Sequence, residues 1–105
     1  MYTRTCIHTD SDTSCIIYDT KSHNKVGILH TFHRHPVNYI AWSSNQQFIA
    51  TAGDDMYIGI WDASTYYPIR SLRGHTHAVT CVKFTPLCNM LISTSFDETL
   101  CFWDI

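Results

Sequence analysis

Charge is scarce in this sequence, and no stretch concentrates charge of one sign. Only 15% of the 105 residues are Asp, Glu, Lys or Arg, and the formal net charge at pH 7 is −2. Proteins that bind nucleic acid or an anionic membrane surface usually carry a clustered basic patch. We therefore expect neither as a direct partner of this chain.

The sequence also lacks a long hydrophobic run. No stretch approaches the roughly 18 consecutive apolar residues that a membrane-spanning helix needs, and residues 1–6 do not form the apolar core of a signal peptide. The cysteines are odd in number and show no paired spacing: Cys6, Cys15, Cys81, Cys88 and Cys101. We therefore expect reduced thiols in a nuclear or cytoplasmic protein that is not secreted.

What the sequence does contain is an internal repeat. Residues 33–62 align without a gap with residues 75–104, a shift of 42 residues. The apolar positions agree in class, and a weaker upstream copy has Tyr18-Asp19 in place of Trp61-Asp62. The identical pairs include His33 with His75, His35 with His77, Asp55 with Asp97 and Trp61 with Trp103.

Each copy contains short segments that are typical of β-strands. They are rich in β-branched and aromatic residues and are bounded by turn-forming residues, and no window has a helical period. Residues 57–61 are apolar on both faces, as expected for a sheet that lies between two other sheets. Four short strands in each repeat are typical of propeller blades.

The motifs resemble the WD-repeat signature. Gly74-His75 and Trp103-Asp104, with Asp97 six residues before the Trp, match it, and the resemblance covers essentially the whole chain. It implies an all-β fold, an incomplete WD-repeat β-propeller of about two and a half four-stranded antiparallel blades. We assign residues 1–32 to a partial degenerate blade, 33–74 to a complete blade, and 75–105 to a blade without its outer strand.

The resemblance implies a hydrogen-bonded tetrad in each blade, made by a loop His, a Ser or Thr, a turn Asp and the Trp indole. Buried polar groups need partners, and these four side chains can satisfy one another. Transferred by position, the tetrads are His33, Thr51, Asp55 and Trp61 in the middle copy, and His75, Ser93, Asp97 and Trp103 in the last copy.

An incomplete ring has consequences for association. It leaves an apolar blade face uncovered at each end and an unpaired edge strand, and both favour association. We therefore expect further propeller blades or self-association to cover these surfaces. The chain is interpreted as a fragment, a truncated gene product, or a part that completes its ring with other chains.

Metal binding and catalysis are not expected. His33-x-His35 and His75-x-His77 come closest to a metal motif, but there is no Cys-x-x-Cys, and two of these histidines belong to the tetrads. Asp55 and Asp97 recur with the repeat, whereas a catalytic constellation occurs once. Because no nucleophile or phosphate-cradling motif is present either, we predict no enzyme activity and no cofactor.

The expected function is a scaffold that binds peptide segments of partner proteins on the top face of the propeller. Phe96 directly precedes Asp97, at a position that most WD-repeat proteins fill with a small or polar residue. The candidate binding residues are Phe96, Asp54, Gly53, Ala78 and Pro36.

Residues 89–99, followed by Phe102-Trp103-Asp104, resemble the WD-repeat subunit of COMPASS-type histone-methyltransferase complexes. That resemblance implies that Phe96 stacks on an arginine of the bound peptide. Two alternatives stay open: a WD-repeat scaffold of another assembly (splicing, ubiquitin ligase or trafficking), and a truncated product without independent activity.

Overall fold

The computed structural model describes residues 4–8, 15–19, 21–29, 35, 37–86 and 90–104. In these residues the regular structure consists of strands. They are β1 (Arg4–His8), β2 (Cys15–Asp19), β3 (Lys25–Leu29), β4 (Val37–Trp42), β5 (Phe48–Gly53), β6 (Tyr57–Asp62), β7 (Pro68–Arg73), β8 (Val79–Phe84), β9 (Met90–Ser95) and β10 (Leu100–Asp104). The described residues include no helix that has the length and hydropathy needed to cross a membrane.

The strands form three antiparallel sheets in which neighbours in sequence are neighbours in space. The first sheet has the order β1-β2-β3, the second β4-β5-β6-β7, and the third β8-β9-β10. We call these sheets blades 1, 2 and 3. The prediction of an all-β fold with antiparallel blades is confirmed.

Two equivalent tight turns connect the middle strands of blades 2 and 3. The amide of Met56 donates to the carbonyl of Gly53 at 3.3 Å, and the amide of Glu98 donates to the carbonyl of Ser95 at 3.2 Å. Met56 (φ 73°) and Glu98 (φ 67°) adopt the left-handed conformation, which non-glycine residues rarely enter. The repeat is therefore preserved in the backbone of the turns that carry Asp55 and Asp97.

One apolar core lies between blades 1 and 2, and a second lies between blades 2 and 3. In the first, Trp61 is fully buried, together with Ile17 and Leu29 from blade 1. In the second, Ile58 and Ile60 of blade 2 are buried together with residues of blade 3, Val79, Val82 and Leu91. Alternate side chains of β6 thus enter opposite cores, which explains why this strand is apolar on both faces.

The corresponding outer face of blade 3 is uncovered. Ile58 and Ile60 are 0% and 1% exposed, whereas their counterparts 42 residues later, Leu100 and Phe102, are 56% and 63% exposed. Lys83 is the counterpart of Ala41 on this face and is also exposed. We call the surface around Leu100, Phe102 and Lys83 the open face of blade 3.

We expect the open face to cause self-association of the chain, because two large apolar side chains that would be buried elsewhere in the repeat are in contact with water. Replacing both Leu100 and Phe102 by Glu should shift the chain toward monomer in size-exclusion chromatography with light scattering. Ile69→Glu is the matched control, since Ile69 is an exposed apolar residue on the outer strand of blade 2. A monomeric parent chain, or an equal effect of Ile69→Glu, would contradict this expectation.

Candidate functional site

Hydrogen bonds join the four predicted tetrad residues of blade 3. The indole Nε1 of Trp103 donates to Ser93 Oγ at 2.8 Å. Ser93 Oγ lies 2.7 Å from His75 Nε2, and His75 Nδ1 lies 3.0 Å from Asp97 Oδ2. The side chains of His75 and Asp97 are 0% and 6% exposed. These bonds connect the loop before β8 to β9, to the β9–β10 turn and to β10.

The proton arrangement in this tetrad follows from the donor capacity of each group. The indole can only donate, so Ser93 Oγ accepts from Trp103 and its own hydroxyl proton is free to donate to His75 Nε2. Asp97 Oδ2 can only accept, so His75 carries a proton on Nδ1 and donates it to the Asp97 carboxylate. The tetrad therefore contains a continuous chain of donors that ends on one negative charge.

The Asp97 carboxylate receives further donors that sequence reasoning did not identify. The Thr99 hydroxyl and the Thr99 amide, the latter at 2.9 Å, donate to Oδ1, and the Thr76 amide donates to Oδ2 at 3.0 Å. The Thr99 hydroxyl contributes most to holding the pKa of Asp97 well below its usual value of 3.8; burial works in the opposite direction, and Thr76 and His75 lower it further. The residue that aligns with Thr99 in the middle copy is Tyr57, so a comparison of the copies does not reveal this hydrogen-bond donor.

In blade 2 the described part of the predicted tetrad is also hydrogen-bonded. Trp61 Nε1 donates to Thr51 Oγ1 at 3.0 Å, and both residues are buried. Asp55 is buried as well and accepts the Tyr57 amide at 3.1 Å. His33 lies outside the described residues, so its place in this tetrad stays a prediction.

Gly74 has a steric reason to precede the tetrad histidine. A Cβ atom on Gly74 would lie 2.7 Å from Cη2 of Trp103, closer than real side chains approach one another. The indole also meets the His75 ring edge to face, with centroids 6.3 Å apart. The Gly-His pair therefore allows the indole to lie directly against the loop.

The top-face residues lie along a continuous strip of hydrogen bonds. The Phe96 amide donates to the Ala78 carbonyl at 3.2 Å, while the Phe96 side chain is 72% exposed. Next to it, Asn38 Nδ2 reaches both the Val79 carbonyl at 3.0 Å and Asp54 Oδ1 at 2.8 Å. We call this path from Phe96 to Asp54 the top-face strip.

The remaining predicted binding residues contribute less to this surface, and Asn38 contributes more than expected. Gly53 is buried, so it does not offer a surface contact. Pro36 lies outside the described residues. Asn38 was not identified from the sequence, since its repeat counterpart Thr80 differs in type.

Metal binding gains no support from the part of the chain that the structure describes. No group of three or more His, Cys, Asp or Glu side chains in these residues could hold a metal ion. Where the side chains are described, every buried nitrogen and oxygen has a hydrogen-bond partner.

We expect Ser93→Ala to destabilise the chain by about 1–3 kcal/mol, because it leaves the indole donor of Trp103 and the acceptor of His75 unpaired in a buried site. Urea unfolding followed by tryptophan fluorescence measures the loss. Ser71→Ala is the matched control, since Ser71 is an exposed strand residue and its removal should change stability by less than about 0.5 kcal/mol. Equal losses in the two variants would contradict the role assigned to Ser93.

Asp97 should make stability depend on pH in the acid range. Its pKa is lowered in the folded chain, so its contribution is fully present above its usual pKa of 3.8 and is lost as the pH falls from there toward the lower folded pKa. Asp97→Asn should therefore flatten the decline of the thermal midpoint below pH 3.8, measured by circular dichroism. Part of the decline in the thermal midpoint should remain in this variant, because the Ser64 hydroxyl lowers the pKa of Asp62 as well. Asp104→Asn, at an exposed position, is the control, and its thermal midpoint should depend on pH as that of the parent chain does. If Asp97→Asn shows the same pH dependence as the parent chain, the assignment is refuted.

Known proteins resemble this chain in sequence and in fold. COMPASS component SWD3 of Saccharomyces cerevisiae is 35% identical over 89 residues, covering 85% of this chain and 28% of that protein. Nuclear distribution protein PAC1 of Candida tropicalis is 39% identical over 75 residues, covering 70% of this chain and 15% of that protein. The chain thus spans less than a third of either relative.

The fold and the family follow from two further comparisons. The solved "Structure of U3-55K" matches 98% of this chain and 33% of its own chain with a TM-score of 0.92, at 24% sequence identity. This likeness shows the fold and, with the three blades, confirms the incomplete β-propeller. Residues 27–62 and 66–104 match the WD40 family model, described as WD domain, G-beta repeat. This chain therefore belongs to the WD40-repeat family.

Proposed function

We propose that this chain is a non-enzymatic interaction scaffold whose top face binds an arginine-bearing peptide segment, within a chromatin-associated histone-methyltransferase complex. The observation that carries the proposal is the exposed ring of Phe96 on a turn fixed by hydrogen bonds. WD40-repeat proteins are in general protein-interaction scaffolds, and the relatives named above are consistent with that role.

Phe96 is held in place by its backbone and leaves its ring available. The Ser95 hydroxyl accepts the Asp97 amide at 3.1 Å and donates to the Ala78 carbonyl at 2.8 Å, so the turn is braced on both sides of Phe96. An aromatic ring that is already positioned loses little conformational freedom on binding. A guanidinium placed on its face gains about 0.5–2 kcal/mol, more when water is excluded.

Asp54 supplies a negative charge at the other end of the top-face strip. Its carboxylate is exposed and accepts Asn38, which fixes its position next to Val79. An exposed ion pair contributes little to binding affinity, so the Asp54 charge mainly speeds the approach and orientation of a cationic side chain. Arginine is preferred over lysine, because the planar guanidinium can stack on Phe96 and still form forked hydrogen bonds.

The assignment to a histone-methyltransferase complex rests on the similarity to COMPASS component SWD3 and implies a nuclear location. A second candidate is a scaffold in another assembly, which the similarity to nuclear distribution proteins favours. The preference for an arginine peptide separates the two, because the COMPASS-type resemblance implies it and the similarity to nuclear distribution proteins does not.

Phe96→Ala should weaken binding of a short arginine-containing peptide by about tenfold, because it removes the stacking surface. Fluorescence anisotropy with a labelled peptide measures the affinity, and the same peptide with lysine in place of arginine should bind more weakly to the parent chain. The unfolding midpoint should stay nearly unchanged, since the ring makes few contacts within the chain.

Tyr67→Ala is the matched control. Tyr67 is 74% exposed and Phe96 is 72% exposed, so both rings are accessible. Tyr67, however, lies at the opposite end of β6 from Asp54 and Tyr57. Its removal should leave peptide affinity intact. Equal binding by the parent chain and Phe96→Ala, or equal affinity for the arginine and lysine peptides, would refute the proposed function.

A further inference from the structure

A cavity of about 640 Å³ opens beside the top-face strip, where β5 ends, β6 begins and β7 ends. Its lining includes Asp54, Asp55 and Ala78, and also Tyr57, Ser71 and Arg73. Ala78 is also the residue whose carbonyl accepts the Phe96 amide. Ala78 therefore links the lining of the cavity to the turn that carries Phe96.

Arg73 is a positioned cation at the outer wall of this cavity. It pairs with Tyr57 across β6 and β7, and its guanidinium carbon lies 5.4 Å from the centroid of the Tyr57 ring. Stacking on an aromatic ring restricts the guanidinium while leaving its N–H groups available as donors. Among the described residues no carboxylate forms an ion pair with it, since the one such pair is between His75 and Asp97.

The lining of the cavity contains charges of both signs. Asp54 follows β5 and is tied through Asn38 to Val79 of blade 3, so its charge lies at the junction of the two blades. Arg73 ends β7, the outermost strand of blade 2. Strands in a sheet are about 4.8 Å apart, so the backbones of β5 and β7, next to which these residues lie, are two strand spacings, about 10 Å, apart.

We infer that this cavity binds an acidic side chain of the same peptide whose arginine stacks on Phe96, with Arg73 as the residue that recognises its carboxylate. The inference rests on the proposed function and adds a second specificity element to it. The peptide arginine would lie at the inner end, near Phe96 and Asp54, and the acidic residue at the outer end. An extended peptide rises about 3.3 Å per residue, so we place the acidic residue about three or four positions from the arginine.

Other groups on the walls are compatible with a carboxylate at the outer end. The Ser71 hydroxyl and the exposed imidazole of His77 are possible donors to it. The carboxylates of Asp54 and Asp55 also line the cavity and repel it. Asp54 is exposed, so salt screens its charge over about 10 Å, and Asp55 is buried and accepts the Tyr57 amide at 3.1 Å. Direct contact with Arg73 has to outweigh this repulsion.

The test uses the 105-residue chain and labelled nine-residue peptides made of Ala, Ser and Gly with one Arg. In each pair of peptides, the residue three or four positions before or after the Arg is either Glu or Gln. We expect the best Glu peptide to bind the parent chain about threefold to fivefold more tightly than its Gln partner, the gain that a partly exposed ion pair provides. Arg73→Gln should abolish that ratio without weakening the Gln peptide.

Arg70→Gln is the matched control, because Arg70 is an exposed arginine on the same strand that does not line the cavity and bonds instead to the Asp104 carbonyl at 3.2 Å. It should keep the parent ratio. A Glu-to-Gln ratio of one in every pair, or a ratio that survives in Arg73→Gln, would overturn the inference.

Phe96→Ala separates this inference from the proposed function. It should weaken the Glu and Gln peptides by the same factor, so their ratio is preserved. If Phe96→Ala has no effect while the ratio still depends on Arg73, the arginine-stacking proposal fails and the acidic site stands alone. If Phe96→Ala weakens both peptides but Arg73→Gln leaves the ratio unchanged, the acidic site fails and the proposed function stands.

Discussion

Burial of apolar sheet faces against one another is the constraint on which the rest of this structure depends. A four-stranded sheet with apolar residues on both faces gains little by folding alone, because each face needs a second sheet to exclude water from it. Trp61 and Ile60 are adjacent in sequence, yet each is buried in a different core, one against blade 1 and one against blade 3. Complete burial of one such side chain is worth about 1.5–3 kcal/mol, so blade 2 depends on both neighbours.

Blade packing removes polar groups from water, and the tetrad of blade 3 supplies hydrogen-bond partners for them. When blades stack, the loop that leads into each inner strand and the turn between the two middle strands are drawn away from water, together with their polar groups. In blade 3 the tetrad satisfies these groups with a chain of donors from Trp103 to Asp97. The same bonds fix the β9–β10 turn, and Phe96 belongs to that turn. The geometry of the exposed ring is thus a consequence of the buried polar network beneath it.

The top face combines groups that belong to different repeats. Phe96 comes from blade 3, Asp54 from blade 2, and the Asn38 amide crosses from β4 to the Val79 carbonyl of β8. The cavity beside them is bounded by the ends of three strands of blade 2 and by the loop that enters blade 3. A surface of this kind requires two packed blades, although the charged residues of the cavity, Asp54, Asp55 and Arg73, all belong to blade 2.

The strands and the repeat of this protein follow from the local pattern of its sequence, whereas the surface depends on tertiary packing. The observed strands coincide with the β-branched and aromatic runs that recur between turn formers at a fixed period in the sequence. Ser93, Asp97 and Trp103 were predicted from the resemblance to WD repeats, which implies a hydrogen-bonded tetrad at these positions. Thr99, Asn38 and the Arg73–Tyr57 stack could not, because they depend on contacts that do not repeat. Their counterparts in the other copies are different residues, and only the packing of particular strands brings them together.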